Sequence, residues 1–404
     1  SVDRSAGDIH MSGNPHYLLD PLCGLQVGEL LSVSLTEALY ADLGAFESVE
    51  VFAGQGDGSR RDELWADGSG LAFVLGGIVE SERDRVRVTV RLNDLRSGRM
   101  EWSNRFQRPL AAAGLLDVSA ELSGTIAGRL ASAYGAIHQA ALRQLGDTLS
   151  PDDRWFTYAS VQRVFAYRRA FARDAHFQVR ANLDRAIQLQ PDCAATQAMR
   201  AFTLMDAARY EIVEPGARGD ELQAGLQAAE HAVAIAPDAA LPLQALAALR
   251  YCNGEVDLAE RLQRQALARC PSDTEALAQL AWRVGAQGRL HEGGAMLEQA
   301  IAGSPVVPSW YRQALAVILY LQGDLAAARA QARLATDYEL GPGYVTLAVI
   351  EAEAGDRTVA RAALGQALHR SDVLRRDPGA YWRAFQIVPE LVERLAVATD
   401  RARR

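Results

Sequence analysis

"PDAALPLQALAALRYCNGEVDLAERLQRQALARCP" (237–271) runs directly into "SDTEALAQLAWRVGAQGRLHEGGAMLEQAIAGSP" (272–305). The two segments share a frame. Pro237, Pro271 and Pro305 lie 34 residues apart, each five residues after an alanine: Ala232, Ala266 and Ala300. Gly254 and Gly288 repeat at the same interval. A 34-residue period with glycine at mid-repeat and proline at its close predicts a helix–turn–helix repeat. One helix pair cannot bury its own apolar face, so such repeats stack into a superhelix. Glycine takes the turn because it adopts positive φ without penalty, and Ala247, Ala281 and Ala348 leave room for close helix approach.

Outward from this core, hairpins are expected at 155–171 with 175–190, 194–210 with 221–236, and 241–253 with 256–270. They continue at 274–287 with 290–303, 308–322 with 325–339, and 342–354 with 358–371. A last helix over 378–396 would cover the exposed end of the stack. One interval breaks the rhythm: Pro191 to Pro237 is 46 residues, 12 more than the period. The surplus fits an insertion at 211–220, "EIVEPGARGD", which marks a place for a contact specific to this protein.

The front of the chain follows other rules. Segment 24–43 carries Val27, Leu30, Leu31, Leu35 and Leu39 at helical spacing. Short strands are expected at 9–11 and 49–52, then at 71–80, 85–95 and 99–108. The stretch 85–92, "RVRVTVRL", alternates with period 2, as a half-buried strand does. The connections at 81–84 and 95–98 are short enough for hairpins. A long helix is expected over 110–150, with Leu115, Val118, Leu122, Ile126, Leu130 and Tyr134 on one side. The organisation is therefore α+β: a small α/β domain at 1–109, a linking helix at 110–150, and an all-α repeat array at 151–404.

Composition narrows function by exclusion. The net charge is −8, which argues against general nucleic-acid binding. The basic run Arg401, Arg403 and Arg404 reads as a solvated terminus. All 42 basic residues are arginine. Without lysine no phosphate-binding Walker loop is complete and no Schiff base can form. Cys23, Cys193, Cys252 and Cys270 form no C-x-x-C and show no zinc spacing. They read as free thiols and point to a reducing compartment. No apolar run approaches the ~18 residues of a membrane span.

The endings "AIQLQP", "AVAIAP", "ALARCP" and "AIAGSP" resemble those of a tetratricopeptide-repeat (TPR) array. The front half resembles the TolB-like amino-terminal domain that precedes such repeats in bacterial signalling proteins. That resemblance rests on "SLTEALYADLGAFESVEVF" (34–52) and "FVLGGIVESERDRVRVTVRLNDLRSGRMEWSNRF" (73–106). Within them the segments 75–77 and 86–88, Gly98 and Trp102 match the family's strands. The first strand departs from the pattern, with "DIHMSG" where an apolar run ending in Leu-Pro-Phe is expected. The resemblance implies a sensory or regulatory portion, with an output domain (a winged helix or a nucleotide cyclase) elsewhere in such proteins.

Candidate binding residues come from the repeat frame. Arg168, Phe202, Tyr251, Trp282, Trp310 and Tyr320 fall on inner-helix positions. Aromatics with arginine suit an extended peptide or a helix; packing between repeats is the plainer role for any one of them. The glycine-rich 54–59 segment has no dinucleotide-binding spacing and reads as a surface loop. The histidines form no metal motif, no catalytic constellation is visible, and no cofactor is expected. The leading expectation is a non-enzymatic regulatory module of a bacterial signalling protein or transcriptional regulator. Its concave face would bind a protein or peptide, or the chain's own upstream output domain, and a homodimer is left open. The alternative is an envelope-associated ligand-binding protein or enzyme subunit. The cytoplasm is favoured over the periplasm on the cysteines alone.

Overall fold

The structure is a computed structural model that describes residues 7–12, 19–20, 26–55, 73–82, 85–95, 97–109, 114–145, 153–335 and 341–403. It divides into two compact units, Ser1–Gly146 with Cys270–Asp273, and Asp147–Arg269 with Thr274–Arg404.

The first unit contains β1 (Gly7–Ser12), β2 (Leu19–Asp20), α1 (Gln26–Gly44), β3 (Glu50–Gln55), β4 (Phe73–Glu82), β5 (Arg85–Asp94) and β6 (Met100–Pro109). β1 pairs antiparallel with β3, and a four-stranded sheet runs β2-β4-β5-β6. β2 is parallel to β4, whereas β4, β5 and β6 form an antiparallel meander. The period-2 pattern of β5 decides which face is buried: Val86, Val88, Val90 and Leu92 are buried, while Arg85 and Arg91 are exposed. Gly98 takes φ +73° in the turn to β6, where a side chain would be strained. α1 buries Leu31, Leu35, Leu39 and Leu43, an i, i+4 stripe. Leu30, counted with that stripe in the sequence, lies one residue out of phase and is exposed.

The single helix expected over 110–150 is two helices among the described residues, α2 (Leu115–Ala131) and α3 (Ala136–Leu145). The cause is a tight turn. A Cβ on Gly135 would meet the Leu130 carbonyl oxygen at 2.3 Å, so glycine alone fits there. His138 stabilises the break, its Nε2 lying 3.0 Å from the Ala131 carbonyl and 3.2 Å from Ser48 Oγ. Burial lowers its pKa to about 4, against the carbonyl's pull, so the ring stays neutral. The expected apolar side remains: Val118, Leu122, Ile126, Leu130 and Tyr134 are buried.

The second unit is the repeat array. Its helix pairs are α4 (Asp153–Ala170) with α5 (Arg173–Leu189), α6 (Ala194–Arg209) with α7 (Arg218–Ile235), and α8 (Ala240–Cys252) with α9 (Val256–Arg269). They continue as α10 (Thr274–Ala286) with α11 (Leu290–Gly303), α12 (Ser309–Gln322) with α13 (Leu325–Leu334), and α14 (Gly341–Glu353) with α15 (Arg357–Arg370). Each helix packs on its hairpin partner, and successive hairpins pack on one another, as in a stacked helical-repeat array. Ala186, Ala232, Ala266, Ala300 and Ala367, each near the end of a second helix, are fully buried. Small residues matter most where α10 meets α11. A Cβ on Gly293 would lie 2.7 Å from the Ala281 carbonyl and 2.8 Å from Gly285 Cα.

The turn glycines behave as their spacing predicts, Gly254 at φ +83° and Gly288 at φ +88°. Gly323 and Gly355 do the same in later repeats, at φ +92° and +88°. There each is followed by an aspartate that caps the next helix. Asp324 accepts from Ala327 N at 3.0 Å and Asp356 from Val359 N at 3.2 Å.

The end of the chain corrects the sequence reading. The helix expected over 378–396 is broken. α16 (Asp372–Arg376) and α17 (Pro378–Arg383) are short, and α18 (Pro389–Arg403) is separate. Proline at 389 disfavours helical backbone at Val388, and Gln386 takes φ +56°. α18 covers the last repeat by packing on α14 and α15. Arg403, read as part of a solvated terminus, instead donates to the Leu374 carbonyl at 2.6 Å. Arg404 lies outside the described residues.

Candidate functional site

The first helices of the repeats line the inside of the array and surround a cavity of about 50 Å3. Arg168, Tyr251, Trp282 and Trp310 line it, from α4, α8, α10 and α12. Phe202 lies one layer deeper, with the Arg168 guanidinium 4.5 Å above its ring. Tyr320 is elsewhere: it packs against the core of the last repeats. Burial raises its phenol pKa and Glu353 adds to that. Glu353 borders a second cavity, of about 240 Å3, between α14, α15 and α18.

Arg168 is the anchored charge of the central cavity. Its Nε donates to Asp206 Oδ2 at 3.0 Å, and its Nη1 to Glu275 Oε1 at 3.4 Å. Tyr311 Oη donates to the other Glu275 oxygen at 2.9 Å. All four side chains are buried. Burial raises the Asp206 pKa to about 6, against the pull of Arg168 and Arg209.

Two further arginines, not among the residues expected from the repeat frame, share the same lining: Arg209 at the end of α6 and Arg283 on α10. Arg283 donates to the amide oxygens of Gln263 at 2.6 Å and Gln279 at 3.3 Å. Burial pulls its pKa down to about 10, and Arg209 and Arg168 add repulsion. Arg209 lies 4.7 Å from the centre of the Phe385 ring. A trace was legible: Arg-Tyr closes two successive inner helices, at 209–210 and 250–251. It is incomplete, because Arg250 turns outward to Glu230 and Glu255.

Phe385 belongs to the broken terminal segment, which returns to the inner helices of the middle repeats. Tyr251 Oη donates to the Phe385 carbonyl at 3.0 Å, and Gln287 Nε2 to the Gln386 carbonyl at 2.7 Å. Gln386 Nε2 donates to the Cys252 carbonyl at 3.2 Å, and Val388 N to the Ala286 carbonyl at 3.0 Å. Trp282 meets Phe385 edge to face, with centroids 6.5 Å apart. The segment thus crosses the carboxyl ends of α8 and α10 through hydrogen bonds to its backbone and side chains, and meets the end of α6 through the Phe385 ring against Arg209.

The insertion at 211–220 holds the start of this segment. Glu211 accepts from Ser371 Oγ, from Asp372 N at 3.2 Å and from Val373 N at 3.4 Å. Part of the insertion is a 3-10 turn, Pro215–Ala217. Among the described residues three non-glycine residues have left-handed backbone, Phe171 at φ +52° and Glu211 and Gln386 at +56°. Phe171 lines the cavity, and the other two hold the returning segment. Strain of this kind persists only where the surroundings over-determine it.

Among the described residues, no three His, Cys, Asp or Glu side chains are grouped to hold a metal ion. No helix there is long and apolar enough to cross a membrane. Cys193, Cys252 and Cys270 are free thiols; burial pushes up the pKa of Cys252 and Cys270. Cys23 lies outside the described residues, as does 56–59 of the glycine-rich stretch. Gly54 and Gln55 belong to β3.

No protein-family model matches the chain, and no curated protein matches it. Solved structures similar to it include Pseudomonas aeruginosa PilF, at 15% identity and a TM-score of 0.37 over 58% of this chain and 98% of that one. Human IFIT1 is similar at 13% identity and a TM-score of 0.45, over 71% of this chain and 64% of that one. YrrB, a TPR protein with an unusual peptide-binding site, is similar at 14% identity and a TM-score of 0.29, over 52% of this chain and 96% of that one. The repeat assignment rests on the 34-residue period and the helix pairing described above.

Proposed function

We propose that this chain is a non-enzymatic regulatory module in which a TolB-like α/β domain precedes a repeat array that docks a protein segment. It would serve a bacterial signalling protein or transcriptional regulator. The observation that carries the docking role is the path of residues 384–388. An irregular stretch of this chain's own backbone lies across three inner-helix ends, held by Tyr251 and Gln287 side chains and the Ala286 carbonyl. Main-chain recognition of this kind accepts a non-helical segment of many sequences. The internal segment would then compete with a partner for the same inner-helix ends. Support for the TolB-like part comes from placement: 75–77, 86–88 and Trp102 lie on three neighbouring strands of one sheet.

The test is hydrogen exchange on the full chain with peptides selected against it from a random display library. Bound peptides should protect the carboxyl ends of α6, α8 and α10 and accelerate exchange at Val388 N. Peptides that bind while leaving these amides unchanged would refute the docking role.

A further inference from the structure

Residues in the wall of the central cavity carry hydrogen-bond donors that have no acceptor. Trp282 Nε1 and Trp310 Nε1 are buried and unpartnered, as is Arg209 Nε. Trp282 is 8% exposed and Arg283 5% exposed. Among the described residues neither Arg209 nor Arg283 has a carboxylate within ion-pair distance, and the Arg283 hydrogen bonds go to neutral amides. One acceptor stands among them, Asp206 Oδ1, on the side already paired to Arg168. Three guanidiniums thus face two carboxylates, Asp206 and Glu275, and one positive charge is left over.

Indole and guanidinium groups only donate. A fitting ligand therefore only accepts, and it carries negative charge to offset the positive charge left over. Size narrows it further. About 50 Å3 with the Phe385 ring in the wall admits a handful of heavy atoms and no polypeptide strand. We propose that this cavity binds a compact oxyanion, a short carboxylate or a phosphate-sized group, between Arg209 and Arg283 and the indole N–H groups of Trp282 and Trp310. The lowered Arg283 pKa fits this, because an anion there would relieve the guanidinium's desolvation and its repulsion from Arg209 and Arg168. The site does not depend on the docking role of the groove. It lies behind Phe385, and peptide capture can fail while oxyanion binding stands.

The experiment is calorimetry and tryptophan fluorescence on the full chain, titrated separately with acetate and inorganic phosphate at constant ionic strength. One of the two should bind saturably at a single site with a dissociation constant of about 10 mM or tighter; which one does so separates a carboxylate ligand from a phosphate. Arg209→Gln and Arg283→Gln should each weaken binding about tenfold or more. Arg250→Gln, whose charge faces outward, should not. Trp282→Phe keeps an aromatic side chain but removes the indole N–H together with part of the bicyclic ring, so it should weaken binding several-fold even if the arginine variants fail to fold. Saturable binding by neither anion, or binding unchanged in Arg283→Gln and Trp282→Phe, overturns the site and leaves a cavity that holds water.

Discussion

Glu351 and Arg283 are both buried charges on inner helices, and the array treats them in opposite ways. Glu351, on α14, has a fully buried side chain that accepts from Arg329 Nε at 2.9 Å and Arg333 Nε at 2.6 Å. Burial would raise its pKa, but these hydrogen bonds hold it below the usual carboxylate range. Arg283, on α10, has two amides and no carboxylate. The last repeats use their charges for closure: partners are supplied locally, and Asp324 and Asp356 cap the helices. The middle repeats leave Arg283 without a carboxylate among the described residues and orphan the Trp282 indole N–H. A protein selected only for packing has no reason to treat the two regions differently. The difference is the contrast on which the proposed oxyanion site rests.

Arg168→Ala should have the largest effect on this contrast. It leaves Asp206 and Glu275 buried without their shared cation, and chemical denaturation should show a loss of about 3–5 kcal/mol. A loss no greater than that of an exposed substitution would mean that paired and unpaired arginines are equivalent here.

Acid should expose another way of handling buried polarity. His138 is kept neutral in the folded chain, with its pKa lowered from 6.5 to about 4. The unfolded chain takes up this proton as pH falls below 6.5, and the folded chain refuses it until about pH 4. Its contribution is therefore complete above pH 6.5 and is lost towards pH 4, the loss reaching about 2 kcal/mol by pH 5. Melting temperatures of wild type and His138→Gln over this range check it. An equal acid slope in both would remove His138 as the cause.

Turn geometry gives a smaller, cleaner measure of the regular repeats. Gly254 has φ +83° and open space where a Cβ would point. Gly254→Ala should thus cost about 1 kcal/mol through backbone conformation alone, as read from the denaturation midpoint. A neutral result would show that the turn relaxes.

Arg209→Met should have the smallest effect. It keeps an unbranched side chain against Phe385 and removes a half-buried cation that has no ion pair among the described residues, so stability should stay within about 0.5 kcal/mol or rise. A loss matching that of Arg168→Ala would erase the distinction on which the oxyanion site rests.

Much of the architecture was readable because it is periodic. The 34-residue frame places helices, turn glycines and small seam residues without reference to anything distant. The insertion at 211–220 was visible as a break in that frame, and the structure puts Glu211 on the returning segment. Of the candidate residues, Arg168, Tyr251, Trp282 and Trp310 line the cavity. Tyr320 does not, because its position in α12 faces the last repeats rather than the middle ones. Arg209 and Arg283 escaped notice because arginine at the end of a helix usually offsets the dipole and faces water.

What the sequence determined by itself was local and repeated: helix, turn, seam and the alternating strand β5, each set by periodicity and by glycine or proline backbone chemistry. The tertiary structure alone decided what lies inside the array. The break at Gln386, the return of Phe385 to Tyr251, and the pairing of Arg168 with Asp206 and Glu275 all join residues far apart in the chain. Which arginine meets a carboxylate depends on how the repeats curve, and a frame that relates each repeat only to its neighbours contains no record of that curvature.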